Sequence, residues 1–161
     1  MATTKQLLDR VKALDTDKVI NEALDETMDA IEGINRERML DGVKADGKMM
    51  PHYSKKSVEV YGKPDGPIKL FDEGKFQAGL VSKRDGNNIH TASTDTTLIE
   101  TYLPDTGEFL SMPKNQFLVE NYGENIYGLG QGEYKKKYQD EHLRPSMNKK
   151  ITAATGLKFG K

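Results

Sequence analysis

The middle of this chain sets the tightest limit on what it can fold into. From Gly66 to His90 it reads GPIKLFDEGKFQAGLVSKRDGNNIH, and upstream it is already broken by DGVKADGKMMP and YGKPDGP. Glycine, proline and Asp-Gly at this density fix turns. Glycine takes positive φ without steric cost, and proline locks φ and gives up its N–H. Only short strands, single helical turns and tight connections fit between such turns, so longer helices must lie before or after them.

Before this region the apolar residues keep a helical period. Leu7, Leu8, Val11 and Leu14 make one stripe over Lys5 to Leu14. Asp15, Thr16 and Asp17 then offer side-chain oxygens to the free N–H groups of a new first turn. A second stripe runs through Ile20, Leu24, Met28 or Thr27, and Ile31, toward Ile34 and Met39. It predicts one helix to about Leu40, weakened at Gly33 by about 1 kcal/mol relative to alanine.

Within the turn-rich region, the glycines and prolines of SKKSVEVYGKPDGP argue mainly for loop, with room for one helical turn over Lys55 to Tyr61, and Phe76 to Val81 fits strand or helix on its apolar pattern alone. Lys83 to Asn88 predicts a tight turn. Alternating β-branched residues place strands near Ile89 to Ala92 and Thr97 to Leu103, in a small antiparallel sheet. Ser111 is the expected N-cap of a short helix, with Pro113 in its first turn and Gly123 at its end. The glycine-rich ENIYGLGQGE leads to a charged helix, YKKKYQDEHLRP, that Pro145 stops or kinks; Met147 and Ile151 continue a face beyond it. The class is α+β in one domain over 1–161, with N-terminal amphipathic helices (1–42), a loop and small sheet (43–110) and C-terminal helices (111–161).

Charge narrows the classes of partner. The 161 residues carry 24 basic and 25 acidic side chains, a net charge of −1, so no whole-molecule field draws the chain to nucleic acid or an anionic membrane. With 35% hydrophobic and 30% charged residues the core is thin, and burial is expected to be completed against neighbours. The absence of cysteine excludes disulfides and thiolate chemistry. The opening MATTKQLLDRVKALD is charged and lacks the apolar run of a secretory signal, and no apolar run approaches the roughly 20 residues of a membrane span. A protein made in a cytoplasm and not bound to membrane is expected.

Each candidate for chemistry has a simpler reading. Asp105 to Glu108, DTGE, has the Asp-Thr-Gly of aspartic proteases, but that chemistry needs a second copy and a β-rich fold; a turn after Pro104 suffices. Gly128 to Gly132, GLGQG, follows no strand and so lacks the setting of a dinucleotide loop. His52, His90 and His142 fall in different elements without metal-ligand spacing, and DGVKADGK lacks the alternating oxygens and closing glutamate of a calcium loop. Tyr134 to Tyr138, YKKKY, interleaves aromatic and basic residues, making Lys135, Lys136 and Lys137 the candidate nucleic-acid contact, against a solvated helix face. No nucleophile with a base, phosphate loop or ligand cluster emerges, so no enzyme, cofactor or metal is expected.

One larger pattern remains. The stretch ADGKMMPHYSKKSVEVYGKPDGPIKLFDEGKFQAGLVSK resembles a recurring arrangement in virion proteins of phages and prophages of Bacteroidetes-type bacteria, of the head-to-tail joining and tail-completion sort. The likeness runs through Ala45, Asp46, Gly47 and Tyr53, then Lys63, Pro64, Ile68, Leu70, Asp72, Gly74 and Phe76. It closes on ENYGENIYGLGQGEYKKKYQDEHLRP, through Tyr122, Gly123, Ile126, Gly128, Leu129, Leu143, Arg144 and Pro145. Glu73 stands where the family usually has threonine, and Ala78 with Gly79 replaces a bulkier pair.

The resemblance implies a structural subunit of a homo-oligomeric ring at the portal, neck or tail. Its partners would be neighbouring portal, neck or tail proteins and DNA passing without sequence specificity. Its place would be the virion, after synthesis in the host bacterial cytoplasm. Asp72, Gly74, Phe76, Tyr122, Gly123, Gly128, Leu129, Arg144 and Pro145 would then be structural, with Asp72 and Gly74 setting the turn before the sheet. Near-neutral charge suits a channel, since a strongly basic lumen would hold DNA. The alternative is a phage binding protein outside the virion, an assembly chaperone or a nucleic-acid-associated factor using Lys135 to Lys137.

Overall fold

Helical caps divide the N-terminal part as their chemistry dictates. In the computed structural model, which describes residues 3–71, 73–86 and 88–157, α1 (Thr4–Lys12) opens on a reciprocal capping box between Thr3 and Gln6. Helix α2 (Thr16–Glu26) is capped by Asp15, which accepts from the Lys18 N–H at 2.9 Å. The single helix expected to Leu40 is instead broken before α3 (Met28–Leu40). The break falls at Thr27, not at the weak Gly33. The Thr27 hydroxyl bonds the Ala23 carbonyl at 2.8 Å and the Tyr138 hydroxyl at 2.7 Å, and its backbone leaves helical geometry at φ −110°, ψ 12°. The buried face of α2 is accordingly Val19, Ala23 and Thr27, one position off the predicted stripe, and Ile20 is exposed.

The turn-rich region builds short elements, as its glycines and prolines require. Ser54 caps α4 (Lys55–Tyr61), which ends on Gly62 at φ +63°. The ambiguous stretch from Phe76 divides: α5 (Lys75–Ala78) is one helical turn, and β1 (Leu80–Asp85) follows Gly79. Strand β1 pairs antiparallel with β2 (Asn88–Ser93) across the Asp-Gly turn. β3 (Leu98–Leu103) pairs with β4 (Glu108–Pro113) across Pro104 to Gly107.

The strands are therefore two separate hairpins, where one sheet was expected to join 89–92 to 97–103. Each tight turn pairs its own flanks. The link between the hairpins is tied down locally, with the Thr94 N–H on the Gly79 carbonyl (2.8 Å) and the Asn115 N–H on the Asp95 carbonyl (3.1 Å). Ser111 is not a cap but part of β4. Helix α6 (Lys114–Tyr122) starts after Pro113, whose extended backbone ends the strand.

At the C-terminal end, α7 (Glu133–Tyr138) passes through a π-helical turn (Gln139–Leu143) into α8 (Arg144–Thr155). The helical run from 133 to 155 therefore continues through Pro145, and the π-helical turn immediately before it widens the backbone where the proline removes an N–H and its ring crowds the preceding turn. The class is α+β, with helices at both ends and two antiparallel hairpins between them.

Helix α3 spans two apolar clusters. Ile31 and Ile34 pack with Tyr138, while Met39 packs with Met50, Leu70, Phe76, Leu80, Leu118 and Ile126. Between them the largest fully buried side chain is not apolar. Arg38, 1% exposed, donates to the carbonyls of Val43 and, at 2.6 Å, Ile126, and to Asn35 Oδ1 at 3.1 Å. Its burial pulls its pKa down to about 10, countered by Tyr134 and Asp46. A planar guanidinium thus ties the end of α3 to the loops that carry Val43 and Ile126.

Candidate functional site

The turn motifs that carry the resemblance meet in space. Lys44 to Gly47 form a tight turn, with the Gly47 N–H on the Lys44 carbonyl at 2.9 Å. This turn is fastened to the end of α6 and the segment after it by three bonds. The Ala45 N–H meets the Asn125 carbonyl at 2.7 Å, Asn125 Nδ2 meets Asp46 Oδ2 at 3.1 Å, and Lys44 Nζ meets the Tyr122 carbonyl at 2.7 Å. Asp46 is held below its usual pKa, chiefly by the Lys48 N–H. Gly130, at φ +53°, lies against the Ala45 carbonyl so closely that a Cβ on it would sit 1.6 Å from the oxygen. No other residue fits there.

The motif residues take structural positions around this junction. Phe76 is 1% exposed and its ring centroid lies 6.0 Å from that of Tyr127; Tyr122 packs against the same cluster. Burial raises the pKa of Tyr122 and of Tyr127. Gly74 (φ +80°) precedes α5, with Phe71 against it, and Gly123 (φ +85°) ends α6. Gly128 (φ +83°) leads to Leu129, which packs on Ile31, Ile34 and Tyr138. Asp72 lies outside the described residues. Arg144 is exposed, 2.6 Å from Asp140, and Pro145 is exposed beside it, so these two stand apart from the junction.

The three lysines do not form a common basic face. Lys137 Nζ sits 2.6 Å from both oxygens of Glu37, which raises its pKa. Lys136 and Lys137 border a depression shared with Glu37, Asp41, Glu133 and Asp140. Tyr134, between them and α3, donates to Asp41 at 2.6 Å, and its pKa is raised by burial and then by that carboxylate. Lys135 is exposed and faces another side, a groove beside β2. Among the described residues no three histidine, aspartate or glutamate side chains gather as a metal site, and no helix is long and apolar enough to cross a membrane.

The feature that sequence reasoning missed is strand β4, which pairs with the expected strand at 97–103 to make the hairpin β3–β4. Helix α6 packs against it, and Ile99, Thr101, Leu103, Met112 and Pro113 are half-buried while the other residues of its strands are exposed. Leu98 (65% exposed), Tyr102 (54%) and Phe109 (69%) line one face, and Leu110 (42%) lies on the other. Tyr102 and Phe109 are directly paired across the strands, ring centroids 5.3 Å apart. Two-stranded hairpins are marginal alone in water, and this one leaves these four large apolar side chains uncovered. The signal was present in the two apolar runs flanking Pro-Asp-Thr-Gly, but EFLSMP alternates too weakly to read as a strand unaided. No protein-family model, curated protein or solved structure matches the chain.

Proposed function

We propose that this chain is a structural subunit of a phage virion, assembling with itself into a ring at the head-to-tail connector, neck or tail through which DNA passes. The hairpin β3–β4 is the observation that carries the reading. A chain that fixes its junction with a buried arginine and a glycine contact, yet leaves an apolar arm in solvent, has kept that arm for burial elsewhere. The convergence of Ala45, Asp46, Phe76, Tyr122 and Ile126 supports the resemblance, because its separated motifs serve one junction. The alternative role on nucleic acid has less support, since Lys137 is committed to Glu37 and carboxylates surround Lys136.

Quantitative mass spectrometry of purified virions tests the proposal. A ring subunit is present at a fixed copy number per particle and restores tail attachment when added to tailless particles. A chaperone or nucleic-acid factor is absent from the mature particle, and that absence would overturn the proposal.

A further inference from the structure

The hairpin β1–β2 has one guarded edge and one open edge. On the outer side of β1, the Ser82 N–H donates to Glu32 Oε1 at 2.7 Å and the Leu80 carbonyl lies 3.5 Å from Arg36. Side chains of α3 thus occupy that edge. Ser82 faces Thr91 across the pair, so the same alternation turns the N–H and C=O groups of Ile89 and Thr91 outward from β2. At Ser93 the outward carbonyl accepts from Asn115 Nδ2 at 3.0 Å. Among the described residues nothing comparable bonds Ile89 or Thr91. Two depressions run side by side along this edge, sharing Ile89, Thr91 and Gly128; the first, about 360 Å³, is walled by Leu129, Tyr138 and Leu143.

We propose that the open edge of β2 receives strand β4 of a second copy of this chain, adding the arm of one subunit to the sheet of the next. This rests on the reading of the chain as a self-assembling subunit. Three observations select the occupant. β4 is exposed from Glu108 to Ser111 and has the six-residue length of β2. Its apolar side chains, Phe109 and Leu110, point to opposite faces, matching the depressions on either side of an added strand. The arm from Leu98 to Pro113 carries Glu100, Asp105 and Glu108 and no base, whereas Lys83 on β1 and Lys135 at the first groove are exposed, against the one exposed acid, Glu124, that lines the second. Donor and acceptor are different surfaces of one chain, so the contact is heterologous and propagates around a ring.

The chain has no cysteine, so engineered thiols report the contact cleanly. His90→Cys protein is mixed with Phe109→Cys protein, and separately with Leu110→Cys protein, to sample both faces of the arm under mild oxidation. A disulfide-linked pair in at least one mixture, and in none of the three proteins alone, is the expected result. Cross-linking of the Phe109→Cys protein with itself would show arm-to-arm pairing and overturn the proposal. No cross-link in protein that still assembles would also overturn it while leaving the ring reading intact; protein that never assembles would remove both. Independently, Glu100→Lys with Glu108→Lys lowers self-association by about tenfold, and Lys83→Glu with Lys135→Glu restores it. Unchanged association in the first variant would refute the charge match.

Discussion

Replacing Gly130 by alanine tests whether the junction is built as described. Two costs add at this position. At φ +53° an L-residue loses about 1–2 kcal/mol relative to glycine. The new Cβ would lie 1.6 Å from the Ala45 oxygen and 2.3 Å from its carbonyl carbon, so backbone must move, at about 1–3 kcal/mol more. Gly130→Ala should therefore cost about 2–5 kcal/mol. Gly47→Ala is the control: its φ is +82°, but a Cβ there meets nothing within 4 Å, so it should cost about 1–2 kcal/mol. Urea unfolding measures both. With a slope of about 2 kcal/mol per molar, the midpoint falls by about 1–2.5 M for Gly130→Ala and by about 0.5–1 M for Gly47→Ala. Equal shifts in the two variants would refute the close contact between the Ala45 turn and the glycine-rich segment.

Arg38→Met should destabilise by about 3 kcal/mol or more, because it leaves the Val43 and Ile126 carbonyls and Asn35 Oδ1 without their donor, and thermal unfolding reads the loss. Tyr102→Ser with Phe109→Ser should change stability by less than about 1 kcal/mol, since both rings are exposed, while reducing self-association in sedimentation. Tyr122, Tyr127, Tyr134 and Tyr138 all have pKa values raised by folding, so the stability they contribute is complete below about pH 10 and is lost as pH rises through their folded values. Unfolding followed by circular dichroism should show stability falling above pH 10, and Tyr134→Phe should flatten that fall.

The parts of the fold that depend on local chemistry were legible in the sequence. Asp15 caps α2 and Asp-Gly closes the first hairpin because each acts within a few residues of itself, whereas α4 forms in a stretch whose glycines and prolines read mainly as loop. What escaped depends on distant partners. Thr27 breaks a helix because Tyr138, more than a hundred residues away, meets its hydroxyl. Arg38 resembles any helical arginine until the carbonyls of Val43 and Ile126 surround it. The turn at Asp105 was legible, but strand β4 after it was not, since its side chains satisfy no burial pattern in a single chain.

The most direct test of the account is the molar mass of the purified protein by light scattering, alone and with particles lacking tails. The account predicts a closed oligomer of defined mass, or a monomer that assembles on the particles. A monomer at every concentration that also ignores the particles would contradict it.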